Sequence, residues 1–248
     1  MLSINTRLMQ THTLVFDLSN LTYLGAYYLG RGIENHPDAP ERIQQSVTKV
    51  MREFYKWFQP ERVIFACDSA TYWRRELFPD YKGHRREHLL KQQVRAAITG
   101  FKATNAKLCI EVENCEADDV IYAVSQFTDK TVSIVSSDQD FIQLMSERVK
   151  VFEPRYKQFR ALPKKPEYEL FVKCMRGDVS DNIPSAYPYI RTRRLQAAYH
   201  QPKLMTEIMD TQLEDGSTVA ENYERNCQLI DLSRIPEHYQ AQLKAAVL

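Results

Sequence analysis

Short apolar runs alternate with amphipathic segments over the first two-thirds of the chain. Strands are predicted at residues 13–16, 62–67, 107–112, 131–135 and 149–152. Apolar residues repeat at intervals of three and four in the segments between them, which predicts helices at 18–28, 43–58, 89–101, 116–127 and 141–145. This alternation is typical of a parallel sheet with crossover helices, so we expect an α/β fold with a mainly parallel twisted sheet flanked by helices.

The pattern changes near residues 154–166, where Pro154, Pro163 and Pro166, with Lys164 and Lys165 between the last two, punctuate a connection. Beyond it the chain is predicted to be helical at 167–176, 191–199, 203–210 and 219–229. We therefore predict a flexible N-terminus over 1–12, an α/β domain over 13–155 and a smaller helical region over 156–248.

Acidic residues end or follow these apolar runs. They are Asp17, Asp68, Glu116, Asp118, Asp119, Asp138 and Asp140, followed by Asp178 and Asp181 after the helix predicted at 167–176. The carboxyl ends of parallel strands lie side by side at one crevice, where open α/β sheets place their ligands. Carboxylates gathered there would raise one another's pKa, and Mg²⁺ or Mn²⁺ is the natural counter-charge. The pattern predicts a site for more than one divalent ion.

Each acidic group has a structural alternative when it is taken alone. Asp17 is equally well explained as the N-cap of the following helix, and Asp68 as a cap or turn residue. The helix dipole favours acids in a first turn, which accounts for one or two of Glu116, Asp118 and Asp119. Asp181 is suited to cap the segment after it. The metal hypothesis rests on all the groups together, at successive element ends.

Composition narrows the class of protein. The chain has 248 residues, 44% apolar and 26% charged, as in soluble globular proteins. No apolar run approaches the ~18 residues of a membrane span, and the N-terminus lacks the apolar segment of a signal peptide. An odd number of cysteines without a C-x-x-C pair indicates a reducing cytoplasm. No glycine-rich dinucleotide or P-loop motif is present.

A second group of residues combines aromatic and cationic side chains over residues 72–88. Tyr72, Trp73 and Tyr81 are interleaved with Arg74, Arg75, Lys82, Arg85 and Arg86. Rings of this kind can stack on unpaired bases while cations contact phosphates. The alternative is a solvated basic loop whose rings pack in the core. If the acids converge, the rest of the surface is basic despite a net charge of +1, which favours a polyanionic substrate.

The sequence resembles the 5′-nuclease (flap endonuclease) superfamily, especially the bacteriophage 5′–3′ exonucleases and the T-even ribonuclease H type. The matching stretches are VFDLSNL, FACDSATYWRRELFPDYKGHRRE, ENCEADDVIYA, IVSSDQDFIQL and MRGDVSDNIP. The resemblance implies a PIN-like fold, two divalent ions and hydrolysis of a phosphodiester near a 5′ end.

Site roles are also implied by position in these stretches. The first ion and its surroundings would be held by Asp17, Asp68, Glu116, Asp118 and Asp138, with Asp119 adjoining, and the second by Asp140, Asp178 and Asp181. Lys82 would lie near the scissile phosphate, with Arg85 or Arg86 supporting it. Tyr81 would stack on a nucleobase, and Arg74 and Arg75 would also bind nucleic acid.

Two features depart from the family. The family's glycine-rich helix–three-turn–helix binds duplex DNA and often K⁺, but residues 183–194 contain no glycine. This argues against a K⁺ site and favours contact by Arg191, Arg193 and Arg194. The segment about 72–105 is expected to form the arch or clamp, but residues 81–116 are short for a complete arch.

The resemblance predicts a Mg²⁺- or Mn²⁺-dependent enzyme acting on DNA with a 5′ flap, a nick or a free 5′ end, or on an RNA–DNA hybrid. The expected partners are replication proteins such as a polymerase or a single-strand-binding protein. We expect the protein to be a monomer and not to bind membranes. A PIN-type ribonuclease acting on single-stranded RNA and a non-catalytic DNA-structure-binding accessory protein are the alternatives.

Overall fold

A parallel sheet carries the fold of the computed structural model, which describes residues 12–248. Its strands are β1 (Thr13–Asp17), β2 (Arg62–Ala66), β3 (Cys109–Ile110), β4 (Val132–Val135), β5 (Val149–Glu153) and β6 (Gln158–Phe159). Their order over these residues is β3–β2–β1–β4–β5–β6, with the first five parallel and β6 antiparallel to β5. The predicted α/β class is confirmed. The predicted flexible N-terminus lies outside the described residues except for its last position.

Helices follow or connect the strands. They are α1 (Leu18–Leu29), α2 (Ala39–Phe58), α3 (Arg74–Leu77), α4 (Leu89–Thr104), α5 (Ala117–Phe127), α6 (Pro166–Arg176), α7 (Thr192–His200), α8 (Pro202–Met209), α9 (Val219–Ile230) and α10 (Glu237–Val247). The segment predicted as a short helix at 141–145 is a 3₁₀ helix, Asp140–Leu144. Among the described helices, none is both long and apolar enough to cross a membrane.

The described chain divides into two compact units that are discontinuous in sequence. The sheet unit contains the chain up to Tyr72, Arg86–Leu162 and Glu237–Leu248, and the helical unit contains Trp73–Arg85 and Pro163–Pro236. The structure therefore differs from the continuous domains 13–155 and 156–248 expected from the sequence. The segment of about 72–105, expected to form the arch or clamp, is divided between the two units at Arg85, and its second half contains α4, which packs on the core of the sheet unit.

Burial on both faces explains the apolar strands of the sheet unit. One face carries Leu14, Phe16 and Phe65, which pack with residues of α1, α2 and α4, including Phe54 and Phe101. The rings of Phe16 and Phe65 stack with centroids 5.0 Å apart. The other face is covered by α5, against which α10 packs. Because helices cover both faces of the sheet, its carboxylate side chains lie at the carboxyl ends of the strands.

The helical unit has its own apolar core. Phe171 and Met175 of α6 pack there with Leu195 of α7, Ile208 of α8 and Val219 of α9. Asn226 is fully buried in the same unit and donates hydrogen bonds to the carbonyls of Cys174 and Pro184. These bonds fix the chain that follows α6, where the Gly-Asp-x-x-Asp-Asn motif lies.

Candidate metal and nucleic-acid site

Asp17 is the last residue of β1 and also the N-cap of α1. Its Oδ1 accepts a hydrogen bond from the Asn20 backbone N–H at 2.9 Å, and its Oδ2 accepts one from the Ser136 hydroxyl at 3.1 Å. Only 7% of the residue is exposed. Burial, reinforced by the charges of Asp68 and Asp138, raises the pKa of Asp17 from 3.8 to about 7 although both hydrogen bonds oppose the rise. Concentrated negative charge surrounds this carboxylate.

Asp68 follows β2, the strand next to β1. Its carboxylate forms hydrogen bonds with the start of α5 and with α1. Its Oδ1 accepts the backbone N–H of Ala117 at 3.0 Å, and its Oδ2 accepts the hydroxyl of Ser19 at 2.6 Å. Glu116, which is 2% exposed, is the N-cap of α5 and forms a reciprocal capping box with Asp119. The acids after β2 and β3 thus meet at one helix start.

The turn after β4 supplies the third group of acids. Asp138 Oδ1 accepts the backbone N–H of Asp140 at 2.8 Å, and the Asp138 N–H donates to the Ser136 hydroxyl at 3.1 Å. Asp140 opens the 3₁₀ helix. Because the sheet order changes direction at β1 between β2 and β4, the ends of these three strands form the crevice where a doubly wound sheet binds ligands.

Two helix N-termini offset part of the charge at this crevice. α1 begins beside Asp17 and α5 beside Asp68 and Glu116, and each N-terminus carries a partial positive charge. The helix-capping explanation of these acids and the metal explanation are therefore compatible, since a carboxylate oxygen has two lone pairs. Asp119 is fully buried and is used in the capping box, whereas Asp118 is partly exposed.

The donor set fits a hard divalent cation. It consists of carboxylate oxygens, which Mg²⁺ and Mn²⁺ prefer. Burial and the charges of Asp68 and Asp138 raise the pKa of Asp17, and a bound cation would oppose that rise. Within residues 12–248 no three His, Cys, Asp or Glu side chains are already arranged to coordinate an ion. Hydrogen bonds from Ser19, Ser136 and backbone N–H groups instead hold the carboxylates in place.

Asp178 and Asp181 lie in the helical unit, on the turn after α6. The turn is closed by two backbone hydrogen bonds between Asp178 and Ile183, at 2.9 and 2.8 Å. Burial alone would raise the pKa of Asp178, but hydrogen bonds from Ser180 and Lys173 and the charge of Lys173 outweigh it and hold the pKa at about 2. This carboxylate is anionic throughout the physiological range.

Three side chains of the Tyr81–Arg85 turn converge on Asp181. The Tyr81 hydroxyl donates to Oδ2 at 3.0 Å, Lys82 Nζ lies 3.6 Å from the same oxygen, and Arg85 Nη2 lies 2.5 Å from Oδ1. The Lys82 backbone, at φ +55°, donates its N–H to the Asp181 carbonyl at 2.8 Å. The Tyr-Lys-Gly and Gly-Asp-x-x-Asp-Asn motifs are therefore one hydrogen-bonded cluster.

Two of the predicted nucleic-acid contacts are placed elsewhere by the structure. Arg74 is 1% exposed, and its Nε donates to the Leu229 carbonyl at 2.9 Å while its guanidinium stacks over Trp73, so the prediction that it contacts nucleic acid is wrong. Tyr81 is 2% exposed, so its buried ring positions Asp181 in this structure and is not accessible to a nucleobase.

The other predicted cations lie at the surface. Arg75, Arg86, Arg191, Arg193 and Arg194 are exposed. Arg75 donates from Nε to the Tyr81 carbonyl at 3.2 Å. The last three line a cleft at the start of α7 together with Tyr187 and Tyr189. Their position on an exposed face agrees with the predicted phosphate contacts, which themselves stay a prediction.

Sequence reasoning missed the residues that orient the carboxylates. Ser19 and Ser136 donate to Asp68 and Asp17, and their adjacency to strand ends was the available signal. It also missed Glu153, which ends β5 and is buried. Arg160 forms an ion pair with Glu153 at 2.7 Å, so this acid is neutralised within the protein, unlike Asp17.

Residues 12–169 match the family described as the 5′–3′ exonuclease, N-terminal resolvase-like domain. The match covers more than half of the chain, and the chain belongs to this family.

Relatives and solved structures agree with that assignment. The chain is 27% identical over 188 residues to a 5′–3′ exonuclease of Buchnera aphidicola, covering 69% of this chain and 64% of the relative. It is 33% identical over 137 residues to DNA polymerase I of Rhizobium leguminosarum, covering 49% of this chain but 13% of the relative. The bacteriophage T5 D15 flap endonuclease, solved with DNA and metal ions, superposes with a TM-score of 0.69 at 17% identity, over 95% of this chain and 97% of that one. This last likeness confirms the PIN-like fold.

Proposed function

We propose that this protein is a divalent-metal-dependent 5′ nuclease that hydrolyses phosphodiesters at DNA 5′ ends, flaps or RNA primers. The observation that carries the proposal is the convergence of Asp17, Asp68 and Asp138 at the ends of neighbouring parallel strands, where burial and the charges of Asp68 and Asp138 raise the pKa of Asp17. Membership of the 5′–3′ exonuclease family and the metal ions bound to the T5 relative support it.

We assign the first ion to carboxylates of the sheet unit and the second to the set that the family resemblance implies for it. The first set is Asp17, Asp68, Glu116, Asp118 and Asp138, and the second is Asp140, Asp178 and Asp181. When bound, Mg²⁺ or Mn²⁺ supplies Lewis-acid activation of water and neutralises phosphoryl charge. Ser19 and Ser136 hold the first set in register through hydrogen bonds.

Lys82 and Arg85 supply positive charge for the phosphate. Both are held by the Asp181 carboxylate, and Lys82 is largely buried while Arg85 is half exposed. Cations preorganised in this way stabilise the charge that develops on phosphoryl oxygens without reorganising during the reaction. Arg86 is an exposed supporting cation. Asp181 is then both a metal ligand and the residue that positions the cations.

Substrate DNA is contacted outside the carboxylate clusters by exposed arginines. We assign Arg191, Arg193 and Arg194 to the phosphates of a duplex, because side-chain cations can replace the glycine-dependent backbone contacts absent from residues 183–194. The DNA polymerase I relative supports a role beside a polymerase in replication. Action as a monomer and contact with a single-strand-binding protein stay predictions.

The test compares Asp138→Asn with the matched surface variant Asp129→Asn. Both remove one carboxylate from a loop that adjoins β4, but Asp129 is exposed and lies at the opposite end of the strand. Each protein is incubated with 5′-labelled flap, nicked, RNA–DNA hybrid and single-stranded RNA substrates, with Mg²⁺ or with EDTA. Binding is measured separately by fluorescence anisotropy.

We expect Asp129→Asn to cleave flap or nicked substrates at the wild-type rate and Asp138→Asn to lose at least about 100-fold in rate while keeping its affinity for DNA. Cleavage restricted to single-stranded RNA would indicate the PIN-type ribonuclease instead. Binding without cleavage of any substrate by the wild type would indicate an accessory protein. Full cleavage by Asp138→Asn would refute the assignment of the metal site.

A further inference from the structure

One residue of the turn after β4 is hydrogen-bonded through its backbone N–H, its carbonyl and its side chain. The Ser137 N–H donates to Asn20 Oδ1 at 3.1 Å, and its hydroxyl donates to Glu153 Oε1 at 2.7 Å. Its carbonyl accepts a hydrogen bond from Arg160 Nη2 at 2.7 Å. These partners lie on α1, at the end of β5 and directly after β6. Ser137 is therefore fixed from three separate elements of the sheet unit.

Glu153 and Arg160 form a largely buried ion pair next to this serine. The Nη2 that donates to the Ser137 carbonyl also lies 2.7 Å from Glu153 Oε2, and the Arg160 and Glu153 side chains are 15% and 10% exposed. The Arg160 backbone N–H donates to the Val151 carbonyl at 2.8 Å, which ties the chain after β6 to β5. Buried ion pairs contribute little to net stability, because the cost of desolvation offsets their attraction. A pair that also bonds a turn is better explained by the geometry that it imposes on that turn.

The serine fixed in this way is flanked by residues of the proposed metal site. Ser136, before it, donates from its hydroxyl to Asp17 Oδ2 at 3.1 Å and from its backbone N–H to the Phe152 carbonyl at 3.2 Å. Asp138, after it, donates its N–H to the Ser136 hydroxyl at 3.1 Å. Holding Ser137 therefore limits the positions that the Asp138 carboxylate can reach.

Glu153 is also an acid at the carboxyl end of a strand, but both of its oxygens are bonded within the protein. Oε1 accepts the Ser137 hydroxyl and, at 3.3 Å, the backbone N–H of Arg155. Oε2 accepts Arg160 Nη2. Its charge is paired, so its role differs from that of Asp138.

We propose that Glu153 and Arg160 are positioning residues for divalent-ion binding, which hold Ser137, and through it the Asp138 carboxylate, in the arrangement that accepts the ion. The inference rests on the proposed nuclease function, because Asp138 belongs to the carboxylates assigned to the first ion. Partners that orient a ligand without touching the ion typically contribute about 10- to 100-fold to metal affinity.

Three variants test the bonds of this cluster. Arg160→Met removes both bonds made by Nη2, whereas Arg160→Lys keeps a cation at the same place. Nη2 makes both bonds and Nε has no hydrogen-bond partner within residues 12–248, so an ammonium with three donors can replace the guanidinium. Ser137→Ala removes only the hydroxyl bond to Glu153.

Arg148→Met is the matched control. Arg148 directly precedes β5, at the end of that strand remote from the turn. Its guanidinium donates at 2.6, 2.7 and 3.0 Å to the carbonyls of Ser125, Thr128 and Lys130. Arg148 thus holds backbone as Arg160 does, but none of these carbonyls adjoins a residue assigned to the metal site. The control measures what the loss of a structural arginine costs when the turn is left intact.

The measurements are made on metal-free protein without DNA, so that they do not depend on cleavage. Mn²⁺ is titrated into each protein, and electron paramagnetic resonance of the free ion gives the Kd. Hydrogen–deuterium exchange of residues 136–140 in EDTA reports how firmly the turn is held. The Tm of each variant records its general stability.

We expect Arg160→Met to weaken Mn²⁺ binding by at least about tenfold and to speed the exchange of residues 136–140 by at least about tenfold. Ser137→Ala should weaken Mn²⁺ binding about fivefold, as the loss of one hydrogen bond implies. Arg160→Lys should bind Mn²⁺ within about threefold of the wild type. Arg148→Met should lower the Tm but leave Mn²⁺ affinity and the exchange of the turn unchanged.

Unchanged Mn²⁺ affinity in Arg160→Met and Ser137→Ala, or an equal loss in Arg148→Met, would overturn the proposal. If Arg160→Met does not fold, Ser137→Ala decides in the same way, with Arg160→Lys as the variant that retains binding. Failure of the nuclease function gives a different result. A wild type that binds Mn²⁺ but cleaves no substrate would argue against that function and leave the positioning role intact.

Discussion

Asp17 shows at the scale of one residue how a helix cap and a proposed metal ligand can be the same side chain. Its carboxylate caps α1 and accepts the Ser136 hydroxyl, yet burial and two neighbouring acids raise its pKa to about 7. The sequence offered capping and metal binding as equal alternatives. The geometry is compatible with both, because the helix N-terminus donates a backbone N–H to one carboxylate oxygen and its partial positive charge stabilises the anion.

Replacing Asp17 should stabilise the metal-free protein. Its pKa in the folded state is raised above the ordinary 3.8, so the charged form is disfavoured and the free energy of unfolding falls as the pH rises from about 4 through about 7. Asp17→Asn keeps an N-cap acceptor and removes the charge. In EDTA its Tm should exceed that of the wild type by about 5 °C at pH 8 and by little at pH 5. Thermal unfolding at both pH values, with Asp129→Asn as control, checks this. An equal difference at the two pH values would contradict it.

Lys82 is expected to act on the rate more than on binding. Its ammonium lies 3.6 Å from Asp181 and is fixed by a largely buried pair, so it is preorganised for a phosphate. Lys82→Ala should slow single-turnover cleavage by about 100-fold and weaken DNA binding less than about threefold. Lys203→Ala, an exposed lysine of α8, serves as the control. An unchanged single-turnover rate would remove Lys82 from the reaction.

At the scale of elements, the turn after α6 depends on one glycine. Gly177 has φ +71°, and a Cβ built on it would lie 2.3 Å from the Ile183 carbonyl oxygen and 2.5 Å from that of Pro184. These distances fall far inside van der Waals contact with backbone atoms. The turn therefore needs glycine both for its left-handed conformation and for the close approach of the following chain.

Gly177→Ala should displace this turn and with it Asp178 and Asp181. We expect a loss of at least about 3 kcal/mol in the free energy of unfolding and a loss of cleavage. Gly216→Ala is the matched control, since Gly216 also has a positive φ, +85°, but no atom lies within 4 Å of the added Cβ. It should cost only about 1 kcal/mol. Urea denaturation of the wild type and the two variants measures the loss in the free energy of unfolding that each substitution causes. Equal losses would show that the positive φ alone, and not the close approach of the following chain, sets the cost at Gly177.

Periodicity predicted most of the elements, and its failures have physical causes. β6 has only two residues and gains its pairing from β5, which local sequence does not encode. α10 was not predicted, although Tyr239, Leu243 and Val247 repeat every four residues, because the segment between Pro236 and Leu248 offers few other apolar positions. Its packing against α5 and the hydrogen bond from Arg62 to the Val247 carbonyl stabilise it.

At the scale of the whole molecule, metal binding should be linked to folding. A divalent ion that binds the folded carboxylate cluster raises stability by about 2.7 kcal/mol at a hundred times its Kd. Protons compete for Asp17 below its pKa of about 7. Mg²⁺ should therefore raise the Tm of the wild type more at pH 8 than at pH 5.5, and should raise that of Asp17→Asn/Asp68→Asn little at either pH. The same Mg²⁺ shift in the wild type and the double variant would show that the ion binds elsewhere.

The sequence by itself determined the alternating α/β pattern and the acids at the strand ends. Both are local properties. Apolar periodicity follows from burial of whole faces, and a carboxylate at the end of a buried strand costs free energy unless its charge is paired. It also identified the Tyr-Lys-Gly and Gly-Asp-x-x-Asp-Asn motifs. Only the tertiary structure decided that side chains of the first motif contact Asp181 of the second, and that Arg74 and Tyr81 are buried. It also decided that two serines orient the carboxylates of Asp17 and Asp68. Such contacts join residues far apart in the chain, and their energies depend on distances that no local pattern records.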